Sequence, residues 1–231
     1  MSSERSPWQR LAGVVGELLI TCGVVALLFC AYQLWWTNIA ASSVTNSLVT
    51  NIEHGFDGPQ STAKPTTPDQ THLAVVDGQG FPLMYIPRLK QSVWGAPVVQ
   101  GVTLDDLQGA IGHYPQSQLP GQVGNFAVAA HRATNGELFR DIDQLIAGDL
   151  VYVQTEHAWF TYRLVKDKIV DPTDVGVVLA VPNQPGVAPT QQLITLTTCN
   201  PRWASTQRWV WWGTLESTRA RADGPPPGLV I

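Results

Sequence analysis

The stretch Leu193-Ile-Thr-Leu-Thr-Thr-Cys199-Asn-Pro-Arg-Trp203 contains the one cysteine that lies outside an apolar N-terminal segment. The other two cysteines, Cys22 and Cys30, belong to that segment. Cys199 is therefore a buried thiol, half of an intermolecular bridge, or a nucleophile. Alternation with a period of two places Thr197 and Cys199 on one face of a predicted strand, with the thiol at the end of the strand.

Two other strand patterns supply partners for a catalytic thiol, which needs a base or cation and a group that steadies negative charge. In the run Gly124-Asn-Phe-Ala-Val-Ala-Ala-His131, small residues lead a buried strand to a polar end, where an imidazole can enter a cleft. Arg208 opens the run Arg208-Trp-Val-Trp-Trp-Gly213. If this strand is a neighbour of the one that ends at Cys199, the guanidinium and the thiol lie side by side.

Each of these residues also has a purely structural interpretation. A lone cysteine in a strand is most often a small buried hydrophobic residue. Arg208 can extend its stem over the neighbouring tryptophans. His113, in Gly112-His-Tyr-Pro, is a lesser rival to His131. A zinc site is disfavoured, because one cysteine without HxxH or CxxC spacing supplies too few ligands.

The N-terminal segment predicts a transmembrane signal-anchor helix over residues 11–36, which is long enough to cross a hydrocarbon core of about 30 Å. Arg5 and Arg10 precede it, and no Lys or Arg follows before Lys64. The positive-inside rule then predicts a cytoplasmic tail over residues 1–10 and an extracellular remainder. A cleaved signal peptide is the alternative, but the apolar run is long for one and no clean small-x-small site follows.

Composition limits the function of the rest. The chain has 231 residues, so the anchor leaves room for one domain of ordinary size. The formal net charge is −4 and the sequence pI is about 5.7. With no basic stripe to neutralise phosphates, we expect no nucleic-acid partner.

The segments after the anchor differ sharply in composition. Residues 37–72 are rich in Ser, Thr, Asn, Pro and Gly, which predicts an extracellular linker with helix continuing to about Glu53. Residues 73–217 alternate short strand patterns with turns, which predicts an all-β barrel or sandwich. Residues 218–231 contain Gly-Pro-Pro-Pro-Gly and are predicted to be disordered.

The predicted barrel region also contains a hairpin and one short helix. The hairpin covers Val151–Val165 and turns near Glu156–Ala158. The helix covers Leu138–Ile146 and ends before Gly148. The remaining strand candidates are Leu73–Val76, Leu83–Ile86, Pro97–Gly101, Asn125–Ala130, Leu193–Thr198 and Arg208–Leu215.

The string Thr195-Leu-Thr-Thr-Cys199, with Arg208 shortly after it, resembles the TLxTC…R signature of sortases, the membrane-anchored cysteine transpeptidases of Gram-positive bacteria. The likeness covers about Phe81 to Leu215 in the right order. Three further stretches carry it, Ala110–Ser117, Leu119–Arg132 and Leu138–Asp149. The Gly-His-Tyr-Pro and His-Arg pairings are most similar to the class E sortases of high-GC actinobacteria.

The resemblance implies a fold and a reaction. The expected fold is a closed or nearly closed barrel of about eight strands with short helices, preceded by the transmembrane helix. The expected enzyme is an endopeptidase and transpeptidase of the hydrolase class. It cleaves an LPxTG-like signal, or LAxTG in class E, between Thr and Gly through a thioacyl-enzyme. A peptidoglycan-precursor amine then receives the protein.

The resemblance also implies the site. Cys199 is the expected nucleophile, His131 the acid and base, and Arg208 the group that holds the substrate backbone and the oxyanion. Thr198 and Tyr114 are expected to bind substrate, with Thr198 either supporting or lining the site. Expected partners are secreted proteins with C-terminal sorting signals, the lipid-linked wall precursor and membrane lipid. No metal or organic cofactor is required.

Two features depart from the family pattern or lack an explanation in it. Ala130 stands where a glycine commonly precedes the histidine, and its methyl group is expected to tighten the pocket wall. The strand after Arg208 is rich in tryptophan, for which the sequence suggests no function.

The resemblance also implies that Asp171–Gln192 forms a long loop that roofs an apolar substrate groove.

Three rival functions remain open. A peptidoglycan-directed L,D-transpeptidase or NlpC/P60-type peptidase shows a Ser-x-Gly-Cys context or a cysteine before its histidine, whereas His131 precedes Cys199 here. A catalytically silent binding module on a membrane stalk would leave Cys199 inert. A pilin-polymerising sortase uses a pilin lysine as the acceptor, but the linker shows no lid motif of the Asp-Pro-aromatic type.

Overall fold

A computed structural model describes residues 7–56 and 80–231 of the chain. The strand candidate Leu73–Val76 and the first residues of the predicted cytoplasmic tail lie outside the described residues.

The N-terminal part is one continuous helix. Helix α1 (Pro7–Ala31) passes through a π-helical turn at Tyr32–Trp36 into helix α2 (Thr37–Phe56). Within α1, Leu11–Ala31 is long and apolar enough to cross a membrane, and none of its most apolar window is buried inside the protein. Cys22 and Cys30 are exposed on this helix, away from the folded domain.

Eight strands close into a barrel, which confirms the expected fold. Their order around the barrel is β1-β2-β3-β4-β7-β8-β6-β5. The strands are β1 (Gly80–Tyr85), β2 (Trp94–Gln100), β3 (Ile111–His113), β4 (Gly124–Ala129), β5 (Leu150–Gln154), β6 (Ala158–Val170), β7 (Gln192–Asn200) and β8 (Gln207–Ala220).

Alternation along the strands separates a core-facing side from an outer side. On β7 the core-facing residues Ile194 and Leu196 are fully buried in the main hydrophobic cluster. On β4 the same cluster includes Phe126 and Val128, and on β8 it includes Trp211. Residues of odd number on β4 and β7, and of even number on the first part of β8, therefore face outward.

Two local predictions can be compared directly. The predicted hairpin is confirmed, since β5 and β6 pair in antiparallel register and the chain turns at residues 155–157. The predicted helix over Leu138–Ile146 is wrong. The segment forms successive i,i+3 turns and one short 3₁₀ helix at Ile142–Gln144, and the amide of Phe139 bonds to the carbonyl of His131. This contact and the shortness of the segment favour tight turns over a regular helix.

The first part of the predicted linker is a helix that packs on the barrel. Helix α2 buries Ala41, Ile52 and Phe56 and ends three residues beyond the expected limit at Glu53. The close approach of α2 requires a glycine at position 109. A side chain there would collide with the Ala41 carbonyl, and the φ of +73° is one that glycine adopts readily. Residues 37–56 therefore form part of the folded unit.

The predicted disordered tail is also corrected. Strand β8 continues to Ala220, and a 3₁₀ turn follows at Arg221–Asp223. The side chain of Arg219 then donates to the backbone carbonyls of Gly224 and Asp223. Leu229 is 5% exposed, in a cluster with Tyr152 and Trp159. Burial of this one leucine and the backbone bonds order a segment whose composition alone indicates disorder.

Candidate active site

Cys199 and Arg208 face each other across two neighbouring strands. Strands β7 and β8 are antiparallel, and their register pairs Cys199 directly with Arg208. Directly opposed residues of an antiparallel pair project to the same face. The prediction that these two strands are neighbours is therefore confirmed, and the thiol and the guanidinium lie on the outer side of the barrel.

His131 lies on the other side of Cys199. Strands β4 and β7 are parallel, and their register ends with Ala129 opposite Thr197. Contact continues past this point, because the amide of Ala130 donates to the Thr197 carbonyl at 3.3 Å. Extending the register by two residues sets His131 beside Cys199. By this register, the three candidate catalytic residues form one row across β8, β7 and the segment that follows β4.

The imidazole of His131 is partly buried. Its Nε2 atom is buried and has no hydrogen-bond partner among the described residues. Burial lowers the pKa of His131 below its ordinary value. The neutral imidazole is thus the favoured form near neutral pH, and its Nε2 is a polar atom whose hydrogen-bonding capacity the described residues leave unused.

The thiol of Cys199 is half-buried and forms no disulfide. It lies where β7 leaves the sheet, one residue before the strand ends at Asn200. A half-buried position limits access by bulk water while leaving one side open. The site thus satisfies the exposure requirement for a nucleophilic cysteine.

Arg208 bonds to backbone of its own loop. Its Nη1 donates to the carbonyl of Ser205 at 3.0 Å and to that of Gln207 at 2.9 Å. No carboxylate pairs with it among the described residues. A guanidinium has five N–H donors, so several of its donors stay available to a substrate carbonyl or an oxyanion.

The two expected substrate-binding residues lie on opposite faces. Tyr114 is half-buried on the outer side, where its hydroxyl bonds to Thr197 Oγ1 at 3.0 Å, two residues from the thiol. Thr198 faces inward, and its hydroxyl donates to the Ala130 carbonyl at 2.7 Å. The Thr198 hydroxyl thus fastens the segment that leads into His131, on the face opposite the thiol.

Two other expectations about this region are corrected. His113 shares the inner face with Ile111, where Nδ1 bonds to Gln100 at 2.7 Å and the ring stacks on Phe126. It is a core histidine and cannot replace His131. The side chain of Ala130 belongs to the hydrophobic core, so its methyl group does not form the pocket wall.

The structure adds one residue to the site, Arg132, which in the sequence stands out only as the second member of the His-Arg pair. Its guanidinium is 7% exposed, donates to Asn200 Oδ1 at 2.7 Å and to Asp143 at 3.0 Å, and lies 5.1 Å over the ring of Trp209. Asn200 follows Cys199, and Trp209 follows Arg208. One buried cation therefore connects the backbone neighbours of all three candidate catalytic residues. The adjacent His-Arg pair was the available signal.

The loop between β6 and β7 covers part of the outer face. Trp212 Nε1 donates to the Val177 carbonyl at 3.1 Å, and Asn125 Nδ2 donates to the Leu179 carbonyl at 3.0 Å. A small apolar cluster beneath the loop contains Val170 and Val210. One tryptophan of the tryptophan-rich strand therefore has a structural role, because Trp212 fastens the loop that was expected to roof the groove.

A cleft of about 250 Å³ opens on the same face, lined by Leu193, Trp212 and Thr214 among others. Leu193 is six residues before Cys199, or about 20 Å along a strand. None of the three catalytic candidates lines this cleft. The cleft is therefore separate from the thiol. Among the described residues, no group of three or more His, Cys, Asp or Glu side chains is arranged to hold a metal ion.

Comparison with known proteins agrees with this geometry. Residues 84–216 match the model of the sortase domain. The chain belongs to the sortase family. The matched region runs from β1 into β8 and includes His131, Cys199 and Arg208.

Curated relatives point to class E within the sortases. The chain is 35% identical to Sortase SrtE1 of Streptomyces coelicolor over 94% of its own length and 60% of that protein's length. It is 31% identical to Sortase SrtE2 of the same organism, over 94% of this chain and 87% of that protein. The chain thus spans less than two thirds of the first relative and most of the second.

Solved structures give the same assignment. Sortase E from Streptomyces avermitilis is 38% identical, with a TM-score of 0.59 over 66% of this chain and 97% of that one. Sortase E1 from Streptomyces coelicolor, solved with a tripeptide in the active site, is 35% identical, with a TM-score of 0.61 over 68% of this chain and 100% of that one. The resemblance to class E sortases is confirmed.

Proposed function

We propose that this sortase is a cysteine transpeptidase that cleaves LPxTG- or LAxTG-like sorting signals between Thr and Gly. The proposal is carried by the strand register, which pairs Cys199 with Arg208 and, extended two residues beyond β4, sets His131 beside Cys199 on the same face of the barrel. This row brings a nucleophile, a proton carrier and a fixed cation to one place, as acyl transfer requires.

In the first half of the reaction, Cys199 as thiolate attacks the carbonyl carbon of the signal's threonine. The oxygen gains negative charge, and the guanidinium of Arg208 stabilises it. Arginine suits this task because its donors form a rigid fork and it stays charged. His131 as imidazolium then protonates the departing glycine amine, the C–N bond breaks, and a thioacyl-enzyme remains.

In the second half, an amine of a peptidoglycan precursor attacks the thioacyl carbon. His131, now neutral, accepts a proton from that amine, and the thiolate leaves. The secreted protein is then joined to the precursor by a new amide bond, and the starting charges are restored. The Nε2 atom of His131, buried and without a protein partner among the described residues, supports this role, because an amine hydrogen bond would satisfy it.

We place the protein in the cell membrane, with α1 as a single span, the N-terminus in the cytoplasm and the barrel outside. The apolar stretch Leu11–Ala31 and the basic residues before it support this orientation. Both proposed substrates, a translocated protein and a lipid-linked precursor, would lie at the same surface. Tethering there raises their effective concentration for the enzyme.

The test is trapping of the acyl-enzyme. The full chain in detergent is incubated with LPxTG and LAxTG peptides and hydroxylamine, and mass spectrometry looks for the threonine hydroxamate. We expect hydroxamate with the wild type and none with Cys199→Ala. Cys22→Ala and Cys30→Ala are matched controls that remove a thiol outside the site and should keep activity. No hydroxamate from either peptide would refute the cleavage and favour a silent binding module.

A further inference from the structure

The loop that follows His131 is fixed to the beginning of helix α2. Asn38 is the second residue of that helix, and its Nδ2 donates to Glu137 Oε1 at 2.7 Å. Its Oδ1 accepts a hydrogen bond from the amide of Gly136 at 3.0 Å. The amide side chain of one helical residue thus holds two consecutive residues of the loop.

The loop between β7 and β8 is fixed to the same point. This loop joins Cys199 to Arg208, and its Arg202 donates Nη2 to Glu137 Oε2 at 2.6 Å. The Glu137 side chain is only 11% exposed. Its backbone has a φ of +48°, a value that a non-glycine residue adopts only when its surroundings hold it there. We call this set, Asn38, Glu137 and Arg202, the membrane-proximal bridge.

The opposite end of the barrel contacts the opposite end of α2. The Phe56 carbonyl accepts a hydrogen bond from Arg221 Nη1 at 3.0 Å, and the Phe56 ring packs with Tyr85 and Leu229. Asn38 and Phe56 are separated by 18 helical residues, or about 27 Å along the axis. The barrel therefore lies alongside α2 with its catalytic end at the helix start.

The helix start is close to the apolar span. The span ends at Ala31, and the helix runs without a break to Asn38. These seven residues rise about 10 Å. The polar layer of a bilayer adds about 5–7 Å on each side of the hydrocarbon core. Trp35 and Trp36 lie at that level, 77% and 61% exposed. The catalytic end thus begins about 3–5 Å beyond the headgroup layer.

One large aromatic side chain is exposed at this end. Trp203 follows Arg202 in the loop between β7 and β8 and is 66% exposed, and the Arg202 guanidinium lies 4.7 Å over its ring. Residues 200–215 include no Asp or Glu, and the carboxylate that lies against this loop, that of Glu137, is paired with Arg202. Tryptophan favours the membrane–water interface, and an arginine guanidinium binds phosphate. The neighbours of Trp203 therefore match the chemistry of a phospholipid headgroup layer.

We propose that Trp203 inserts into the headgroup layer of the bilayer that α1 spans, and that the membrane-proximal bridge holds it at this depth. The active site then opens at the membrane surface, where a lipid-linked amine lies. The proposal rests on the membrane location given under the proposed function, but not on the chemistry of peptide cleavage.

The test measures the depth of single tryptophans. The full chain is labelled with 5-fluorotryptophan and placed in nanodiscs of phosphatidylglycerol and phosphatidylcholine, with or without a lipid that carries a nitroxide headgroup. Fluorine relaxation is then measured for each ring. Trp203→Phe identifies one resonance and Trp94→Phe another. Trp94 packs near Phe56 at the far end of the barrel and is the matched control.

We expect a nitroxide-induced relaxation enhancement at Trp203 about tenfold or more above that at Trp94, because the two ends of the barrel are about 27 Å apart along α2. Asn38→Ala removes one arm of the bridge and should reduce the enhancement at Trp203. Thr45→Ala is the control, because it removes a bond from α2 to the Gly109 carbonyl outside the bridge and should leave the enhancement unchanged.

Equal enhancements at Trp203 and Trp94 would overturn the proposal. A Trp203 resonance that shows no relaxation enhancement from the nitroxide, but shifts when a sorting peptide is added, would also overturn the proposal. The loop would then contact substrate and not lipid. The depth measurement itself uses no substrate, and the sorting peptide is added only afterwards. A negative depth measurement therefore does not affect the hydroxamate result. A negative hydroxamate assay likewise does not affect the depth measured for Trp203.

Discussion

Two neighbouring layers of side chains at the catalytic end of the barrel differ in how they are bonded. On the outer face, His131 Nε2 and the Cys199 thiol have no hydrogen-bond partner, and Arg208 bonds only to loop carbonyls, among the described residues. On the inner face, Arg132 and Asn200 hold each other and their neighbours through short hydrogen bonds.

This difference indicates that adjacent residues have different roles at the catalytic end. The outer side chains keep hydrogen-bonding capacity that the described residues do not use, and the inner ones fix the backbone from which the outer ones project. Catalytic groups act well only when their supports are rigid, because displacement by a fraction of an ångström weakens transition-state contacts. Substitutions in the outer layer should therefore lower turnover without unfolding the protein, whereas those in the inner layer should affect both.

The largest effect is expected from His131→Gln. Loss of the proton carrier should lower kcat about 100- to 10,000-fold, the range for removal of general acid–base catalysis. Thermal unfolding should change little, since Nε2 has no protein partner among the described residues. Peptide turnover and a melting curve on the same sample check this. A variant that keeps turnover would remove His131 from the proposed mechanism.

The next effect is expected from Arg208→Lys. The charge is kept and the fork of donors is lost, so kcat/KM should fall about 10- to 1000-fold. Arg163→Lys is a suitable control, because Arg163 pairs with Glu216 on an exposed part of the surface. If Arg208→Lys turns over substrate as fast as that control, the guanidinium does not hold the oxyanion.

Arg132→Met tests the inner layer. It leaves Asn200 Oδ1 without its charged donor and should lower the free energy of unfolding by about 2–3 kcal/mol. Turnover should fall about tenfold through loss of positioning, with an unchanged pH profile. Arg140→Met, which removes a partly exposed pair with Asp141, is the control and should cost under about 1 kcal/mol. Equal unfolding energies for both variants would contradict the scaffold role.

The smallest effect concerns pH. Burial lowers the pKa of His131, so the neutral imidazole becomes an imidazolium only below the ordinary histidine value of about 6.5. The profile of kcat/KM should be bell-shaped with its acid limb below that value. Turnover should be slow even at the optimum, because the thiolate–imidazolium pair is a minor form when the neutral imidazole is favoured. An acid limb above about pH 6.5 would contradict the burial of His131.

Much of this site could be predicted from the sequence. Period-two alternation placed Cys199 on the same face as Thr197, at the end of its strand, and the family signature supplied His131 and Arg208. The same alternation sets Thr198 on the face opposite Cys199, so its inward position was accessible from the sequence. The Arg132 contacts were not, because they join residues from different strands whose register a single sequence does not reveal.

The packing of α2 and of the C-terminal tail was less accessible. Helix α2 buries only Ala41, Ile52 and Phe56 of its 20 residues, too few for a recognisable apolar stripe. Its contact with the barrel also depends on Gly109, which resembles any other turn glycine in the sequence. The tail is ordered mainly by Leu229 and by backbone contacts of Arg219, and composition does not report either.

His131, Cys199 and Arg208 are proposed to act together on the outer face of the barrel. A crystal structure with a covalent threonine-thioacyl mimic on Cys199 would show whether they do. We expect the Arg208 guanidinium about 3 Å from the mimic's carbonyl oxygen and His131 Nε2 within reach of the departing-amine position. If the mimic were bound with both side chains turned away from it, or on the inner face, the three residues would not form one catalytic site.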